Sequence, residues 1–357
     1  MSILVNLAFL PARPTGWATY SLNLLKSLPL SEIQAVSPTA LKDSIKTHPS
    51  PVGLTTEAGA KGHLKRLLWT QFYLPKIYQN LHSKLLFSPV PEAPVSKNCR
   101  AIVTIHDLIP LHFPQWFSQA QKLYCRHYIP AVLQQAEHII CNSEATAQDV
   151  IDFCGISAKK VTAILLAYDA SNFCDLQLPQ KNYFLYLGRH NPHKNPQRLV
   201  SAFAALPNSS DYELWFAGPP DPRYTPALQT QIATLGLQQQ VKFLDYVPYT
   251  ELPKLLNQAI ALVFPSLWEG FGLPVLEAMA CGTPVITSNL ASLPEVAGDA
   301  ALLVNPYQVE ELTEAMQAIA TDTNLRSQLR DRGLARAAQF SWAKTGQATA
   351  EILQQYL

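Results

Sequence analysis

"PSLWEGFGLPVLEAMACGTPVIT", residues Pro265 to Thr287, carries the chain out of one apolar strand, through a glycine-rich turn and a short helix, and into another strand. The preceding run "AIALVFPS" reads as the first strand. Pro274 suits the first position of the helix and Gly282 its exit, which bounds it at about Pro274 to Cys281. Strand, helix and strand in this order make a β-α-β unit, the building block of a parallel sheet.

The same alternation extends along the chain. Strands are expected at Ile3–Ala8, Ile33–Val36, Leu85–Phe87, Ile102–Ile105, His138–Cys141 and Val161–Leu165. A second series follows at Tyr183–Leu187, Tyr212–Ala217, Val241–Asp245, Ala261–Phe264, Pro284–Thr287 and Ala301–Val304. Amphipathic stretches such as Gln197–Ala205, Pro226–Leu235, Thr250–Gln258 and Glu310–Ala320 lie between them. Two series predict two α/β Rossmann-like domains, and 357 residues exceed what one core comfortably serves. The seam falls in the polar stretch Ala167–Asn182, giving domains 1–170 and 171–339, with a last helix at about 340–357 packing back on the first. Ligands bind outside the carboxyl ends of strands in open parallel sheets, so two such sheets facing each other are expected to enclose a central cleft.

Composition narrows the function. Apolar content of 48% and charged content of 15% describe a folded globular chain. The net charge of +1 hides an asymmetry: residues 1–170 hold 15 Lys/Arg against 10 Asp/Glu, and residues 171–357 hold 12 against 16. That is too weak a basic bias for nucleic-acid binding, but it suits an anionic acceptor or membrane surface on the first half. The six cysteines form no C-x-x-C pair or zinc spacing and read as buried thiols in a reducing cytoplasm. "MSILVNLAFL" has no basic leader and reads as a first strand, and no run approaches the ~18 apolar residues of a membrane span.

Glu269 and Glu277 stand out in the apolar stretch Pro265 to Thr287. Gly270 and Gly272 let backbone approach a ligand closely, and the free N–H groups of a helix start attract anions. A carboxylate beside them can accept hydrogen bonds from sugar hydroxyls. A Glu in the first helical turn, where Glu277 is expected, is also favoured by the helix dipole alone.

"PSLWEGFGLPVLEAMACGTPVITSNLASLPEVAGDAALLV" resembles the signature of glycosyltransferase family 4, retaining enzymes of GT-B architecture. "YFLYLGRHNPHKNPQRLVSAFAAL", "VKFLDYVPYTELPKLLNQAIALVFPS" and "FSWAKTGQATAEIL" extend the likeness from Tyr183 to the end of the chain. Over residues 1–170 it is looser. The resemblance implies that Glu269 lies by the donor sugar and Glu277 holds the nucleotide ribose. It implies that the backbone of Phe271, Gly272 and Leu273 contacts sugar and distal phosphate, and that the base packs near Tyr246 and Val247.

"LGRHNPHKN" sets Arg189 and Lys194 after a strand and before a helix. Such a basic loop reads either as solvated surface or as a pair of cations for a pyrophosphate, neutralising charge on a leaving group. The resemblance implies the second. Gly188 and Asn195 read as turn and cap. Where relatives carry a glycine pair after the first strand, "PARPTGWATY" has Gly16 alone beside Arg13 and Pro14. It is no G-x-G-x-x-G, and the resemblance still implies that Gly16 lies near the diphosphate.

"VTIHDLIPLHFP" puts His106 and Asp107 at a strand's end, with three readings. An adjacent His-Asp occurs in metal phosphohydrolases, whose further ligands are not apparent here. A structural loop histidine is the second reading. The third, which the resemblance implies, has His106 facing the donor sugar and Asp107 shaping the acceptor side. "KGHLKRLLWTQFYLPKIY", residues 61–78, reads either as a helix with an apolar core face and a basic solvent face, or as a helix for acceptor or membrane surface. Ser143 reads as an N-cap.

Taken together, the resemblance implies a cytoplasmic hexosyltransferase, with peripheral contact at the inner face of the membrane. Its co-substrate is a nucleotide-diphosphate sugar and its acceptor a glycan or lipid-linked saccharide. It needs no metal, no other cofactor and no nucleic acid. The His106–Pro110 context resembles bacterial mannosyltransferases of surface-polysaccharide assembly, which points to GDP-mannose and, after it, UDP-glucose. Two alternatives stand beside this reading: another GT-B enzyme, such as a phosphorylase or a sugar-nucleotide epimerase, and a non-catalytic nucleotide- or carbohydrate-binding protein.

Overall fold

The apolar runs pair as parallel strands in two separate sheets. The structure, a computed structural model, describes residues 2–11, 16–30, 32–41, 45–55 and 58–357. Arg13 and Pro14 of the first loop lie outside the described residues.

In the first sheet the strands are β1 (Ile3–Asn6), β2 (Ile33–Ser37), β3 (Lys46–Pro49), β4 (Leu85–Ser88), β5 (Ala101–Ile105), β6 (His138–Cys141) and β7 (Val161–Ala163). Among the described residues they lie in the order β3-β2-β1-β4-β5-β6-β7, every pairing parallel. The central strands β1, β4, β5 and β6 are buried at every residue, as continuous apolar runs covered on both faces should be. The strand absent from the sequence reading is β3. "KTHP" is polar, sits at the sheet edge with no apolar alternation to mark it, and ends in a proline that an edge tolerates.

The second sheet holds β8 (Tyr183–Leu187), β9 (Glu213–Ala217), β10 (Val241–Phe243), β11 (Ala261–Phe264), β12 (Val285–Ser288) and β13 (Leu302–Val304). Their order is β10-β9-β8-β11-β12-β13, again all parallel. Both sheets therefore reverse direction once, between β1 and β4 in the first and between β8 and β11 in the second. These are the topological switch points at whose carboxyl ends ligands bind in folds of this kind.

Two compact units contain the sheets: Met1–Leu166 with Ser341–Leu357, and Ala167–Phe340. The helix Trp342–Gln355 belongs to the first unit and lies on the helix Gly16–Ser27. A Cβ on Gly346 would stand 2.2 Å from the Ser27 carbonyl oxygen, so the two helices touch backbone to backbone. Thr345 Oγ1 donates to the Leu165 carbonyl at 2.8 Å, and the Tyr356 hydroxyl meets His138 Nδ1 at 3.1 Å.

One reading of detail changes. Of the six cysteines, none of which is in a disulfide, Cys174 is exposed; the other five are buried. Among the described residues no helix is long and apolar enough to cross a membrane.

Candidate active site

The second unit's switch point brings two loops together. One leaves β8 at Gly188 and ends at Lys194; the other leaves β11 at Pro265 and ends at Gly272. The Leu267 amide donates to the His193 carbonyl at 2.7 Å, which ties the loops by backbone. Asn195 adds a side-chain tie: its Nδ2 donates to the carbonyls of Pro265 and Pro306 at 3.1 and 2.7 Å. It stands at the N-cap of the helix Pro196–Ala204 in the left-handed region, φ 60°, and makes no side-chain capping bond. The expected cap is therefore a brace.

Across this junction Lys194 Nζ donates to Glu269 Oε1 at 2.5 Å. Both groups are largely buried, and the ammonium also lies 5.1 Å from the centre of the Phe264 ring. The backbone that carries Glu269 is itself fixed: the buried Ser292 hydroxyl bonds the carbonyls of Glu269 and Phe271 at 2.9 and 2.8 Å. Beside the ion pair, His193 is buried and pushed down to about 4 by burial and by the Lys194 charge, so it is neutral at pH 7.

The helix that follows runs Leu273–Ala280, with Gly272 at its N-cap at φ 104° and Pro274 near its start. It begins one residue earlier than the sequence suggests. Glu277 consequently stands in its second turn rather than its first, so the dipole argument does not account for it. Burial, with the Asp169 charge behind it, pushes the Glu277 carboxyl up to about 8. The Tyr249 phenol is raised as well, by burial first and then by the Glu277 charge, and Val247 of the same loop is half-buried. Gly270 and Phe271 are buried in the turn.

Arg189 is exposed, directly after Gly188. Its charge reaches Asp221, whose carboxyl is held below its ordinary range by Arg223 first and by Arg189 last. At the same strand ends Gly218 packs on Gly188. A Cβ on Gly218 would come 2.2 Å from the Gly188 carbonyl oxygen, at a φ of +149°.

In the first unit, His106 closes β5 and Glu92 follows β4. His106 Nε2 is 2.9 Å from the Pro89 carbonyl, which can only accept, so Nε2 carries the proton and Nδ1 the lone pair. Its ring stacks with Trp17 at 6.0 Å and meets the Tyr20 ring edge-on at 4.7 Å. Burial pushes His106 down to about 4, so it acts here as a neutral ring of fixed tautomer. Asp107 Oδ1 accepts from the Ile109 amide at 3.2 Å and opens the next helix. Gly16 begins the helix Gly16–Ser27 and is exposed, and among the described residues none would touch a Cβ there. Ser143 caps the helix Glu144–Cys154 through the Thr146 amide.

Known families match the chain. The family "Glycosyl transferases group 1" matches residues 172–336, and "Glycosyltransferase Family 4" matches residues 45–172. O-antigen chain mannosyltransferase B of Escherichia coli is 32% identical over 257 residues, 68% of this chain and 67% of that protein. The chain belongs to the group 1 glycosyltransferases. O-antigen chain mannosyltransferase RfbU of Salmonella typhimurium is 29% identical over 331 residues, covering 89% and 90% of the two chains. Sucrose-phosphate synthase from Thermosynechococcus elongatus matches in fold, with a TM-score of 0.79 at 20% identity over 99% of each chain.

In this glycosyltransferase, then, Lys194, Glu269, Gly270, Phe271, Gly272 and Leu273 lie on one strand-end junction of the second unit, with Arg189 at its β8 side and Glu277 in the second turn of the helix that follows. His106 and Asp107 lie at a strand end of the first unit. Among the described residues no group of three or more His, Cys, Asp or Glu is placed to hold a metal ion. Sequence reasoning missed Ser292 altogether. It lies downstream in "NLASLPEV", where nothing marks a serine that serves a loop more than twenty residues earlier. Asn195 carried a signal, an asparagine ahead of a helix-starting proline, but the signal favours a cap over the observed brace.

Proposed function

We propose that this transferase moves a hexose, with retention, from a nucleotide-diphosphate sugar to a glycan or lipid-linked acceptor in surface-polysaccharide synthesis. GDP-mannose is the first donor and UDP-glucose the second; the mannosyltransferase names of its relatives favour that order. The observation that carries the reading is the Lys194–Glu269 pair, set at a switch point beside a glycine-entered helix start.

In this reading the donor's diphosphate lies against Arg189, Lys194 and the amides of Gly272 and Leu273. Cations and helix-start amides are suited to the negative charge that grows on a departing phosphate. Glu269 binds sugar hydroxyls, Glu277 the ribose, and Val247 packs by the base. Gly16 is assigned to the diphosphate by the family resemblance. The anomeric carbon–phosphate oxygen bond breaks, the acceptor hydroxyl oxygen bonds to that carbon from the same face, and its proton passes to the departing phosphate oxygen. His106, neutral and fixed in tautomer, serves the donor sugar, and Asp107 the acceptor. The residues named supply the charge without a metal ion. The enzyme works in the cytoplasm, in peripheral contact with the inner face of the membrane.

The test is turnover of GDP-mannose and UDP-glucose with a glycan acceptor and no added phosphate, the product linkage read by proton NMR. An α-linked product from an α-linked donor is expected. A β-linked product overturns retention. Binding without nucleotide release overturns catalysis in favour of a carbohydrate-binding role.

A further inference from the structure

The helix Gly59–Phe72 is built the wrong way round for a helix that faces water. Its buried positions hold Gly62, Arg66, Trp69 and Thr70, whereas Leu64, Leu68 and Phe72 point outward, 58%, 50% and 62% exposed. Tyr73, next along, is 59% exposed. Spaced four apart, Leu64, Leu68 and Phe72 form one stripe along the helix. Single exposed leucines are ordinary; a contiguous apolar stripe on a helix marks a contact surface.

The inversion has a structural cause. Arg66 is buried because Glu92 receives it bidentately, Nε to Oε2 at 2.7 Å and Nη2 to Oε1 at 2.8 Å, while Nη1 donates to the Leu54 carbonyl. Gly62 lies against Ala58, whose Cβ would stand 2.3 Å from an added Cβ, and near the Gly53 and Thr55 carbonyls, so a side chain would not fit. The inward face thus holds Arg66 and Gly62 beside Trp69, which joins the core, and Leu64, Leu68 and Phe72 are left on the outside.

Charge decides what covers them. Lys61, Lys65 and Lys76 are exposed along the same helix and its continuation, with Lys76 Nζ 5.5 Å from the Tyr73 ring centre. No Asp or Glu occurs between Ala58 and Pro91. A second copy packed on this face by two-fold symmetry would set the lysines against their own copies. A bilayer carrying anionic headgroups meets both halves of the pattern: it takes Leu64, Leu68 and Phe72 into its interface and pairs the lysines with phosphate.

We infer that the outer face of the helix Gly59–Phe72 docks this enzyme on an anionic lipid surface. The inference deepens the membrane contact of the proposed function by naming its surface, and it is read without turnover, so the transferase reading stands if the docking fails. Flotation with vesicles of phosphatidylcholine, and of an equal mixture of phosphatidylcholine and phosphatidylglycerol, tests it. The protein is expected to float with the mixed vesicles only, and less at high salt. Leu68→Ser with Phe72→Ser should lower partitioning at least tenfold. Lys61→Gln and Lys65→Gln should each lower it about fivefold. All four residues are exposed, so the fold should survive; a melting curve checks this. The control Leu235→Ser, exposed on the second unit, should bind as the unaltered chain does. No flotation, or flotation indifferent to Leu68 and Phe72, overturns the inference. A dimer that the Leu68/Phe72 variant dissolves, without vesicle binding, assigns the face to a second copy instead.

Discussion

Lys194 Nζ lies 2.5 Å from Glu269 Oε1, joining the loops that leave two neighbouring strands, β8 and β11, whose onward connections run to opposite edges of the sheet. The pair sets a cation and a carboxylate at the reversal of strand order, where the fold itself presents backbone to a ligand. Lys194→Ala and Glu269→Ala should each lose at least about tenfold in turnover, which is about 1.4 kcal/mol in the barrier. Both should stay folded with some loss of stability, because each leaves a largely buried charge without its partner. Rate and melting temperature measured on the same preparation separate the two effects. Wild-type turnover in both variants would remove the pair from the chemistry.

Ser292 acts only through the backbone it holds. Ser292→Ala leaves the Glu269 and Phe271 carbonyls without this donor, a cost of about 1–3 kcal/mol. Because the same turn carries Glu269, the rate should fall together with stability. Ser292→Thr, which keeps the hydroxyl, should recover part of both. Chemical denaturation alongside initial rates checks this, and a variant that lost stability alone would show that the turn keeps its shape without the bond.

Much of this was legible in the sequence because β1, β4, β5, β6, β8 and β11 are central strands, buried on both faces and spelled as unbroken apolar runs. The edge strand β3 was not, since "KTHP" carries no pattern that burial would impose. The two-carboxylate turn was legible because glycines, a proline and an acid mark a helix start even in isolation. The braces from Ser292 and Asn195 were not, because they join residues far apart in the chain. The inverted helix Gly59–Phe72 reads as an ordinary basic amphipathic helix until Glu92, a distant residue, is seen to draw Arg66 inward.

Two glycines at strand ends should differ when a methyl group is added. Gly218→Ala drives Cβ against the Gly188 backbone, which cannot yield without moving β8. Gly272→Ala meets the tip of Leu293 at 2.6 Å, a side chain that can turn aside, though φ 104° remains strained. Strain of the backbone alone costs about 1–3 kcal/mol, and Gly218→Ala should exceed that range. Urea denaturation of the two variants should rank Gly218→Ala as the less stable; the reverse order would contradict the packing described.

Glu277 gives stability an unusual pH dependence. Its folded pKa of about 8 lies above the ordinary 4.5, so between these values the folded chain holds a proton that the unfolded chain has released. Its contribution is therefore present below about 4.5 and lost as pH rises through about 8, beyond which it changes no further. Glu277→Gln should flatten the fall between pH 5 and 8 and raise stability at the alkaline end. Melting temperatures of both proteins across that range test the sign. A Glu277→Gln variant with an unchanged pH profile would place the carboxyl in water.

The most direct test of the central claim, that the β8–β11 junction of this glycosyltransferase holds the diphosphate of a nucleotide sugar, is calorimetric titration with GDP and with UDP. One of them is expected to bind, GDP first, and Arg189→Ala and Lys194→Ala should each weaken it at least tenfold without lowering the melting temperature of the ligand-free protein by a comparable measure. Equal affinity in the unaltered protein and both variants would contradict the claim.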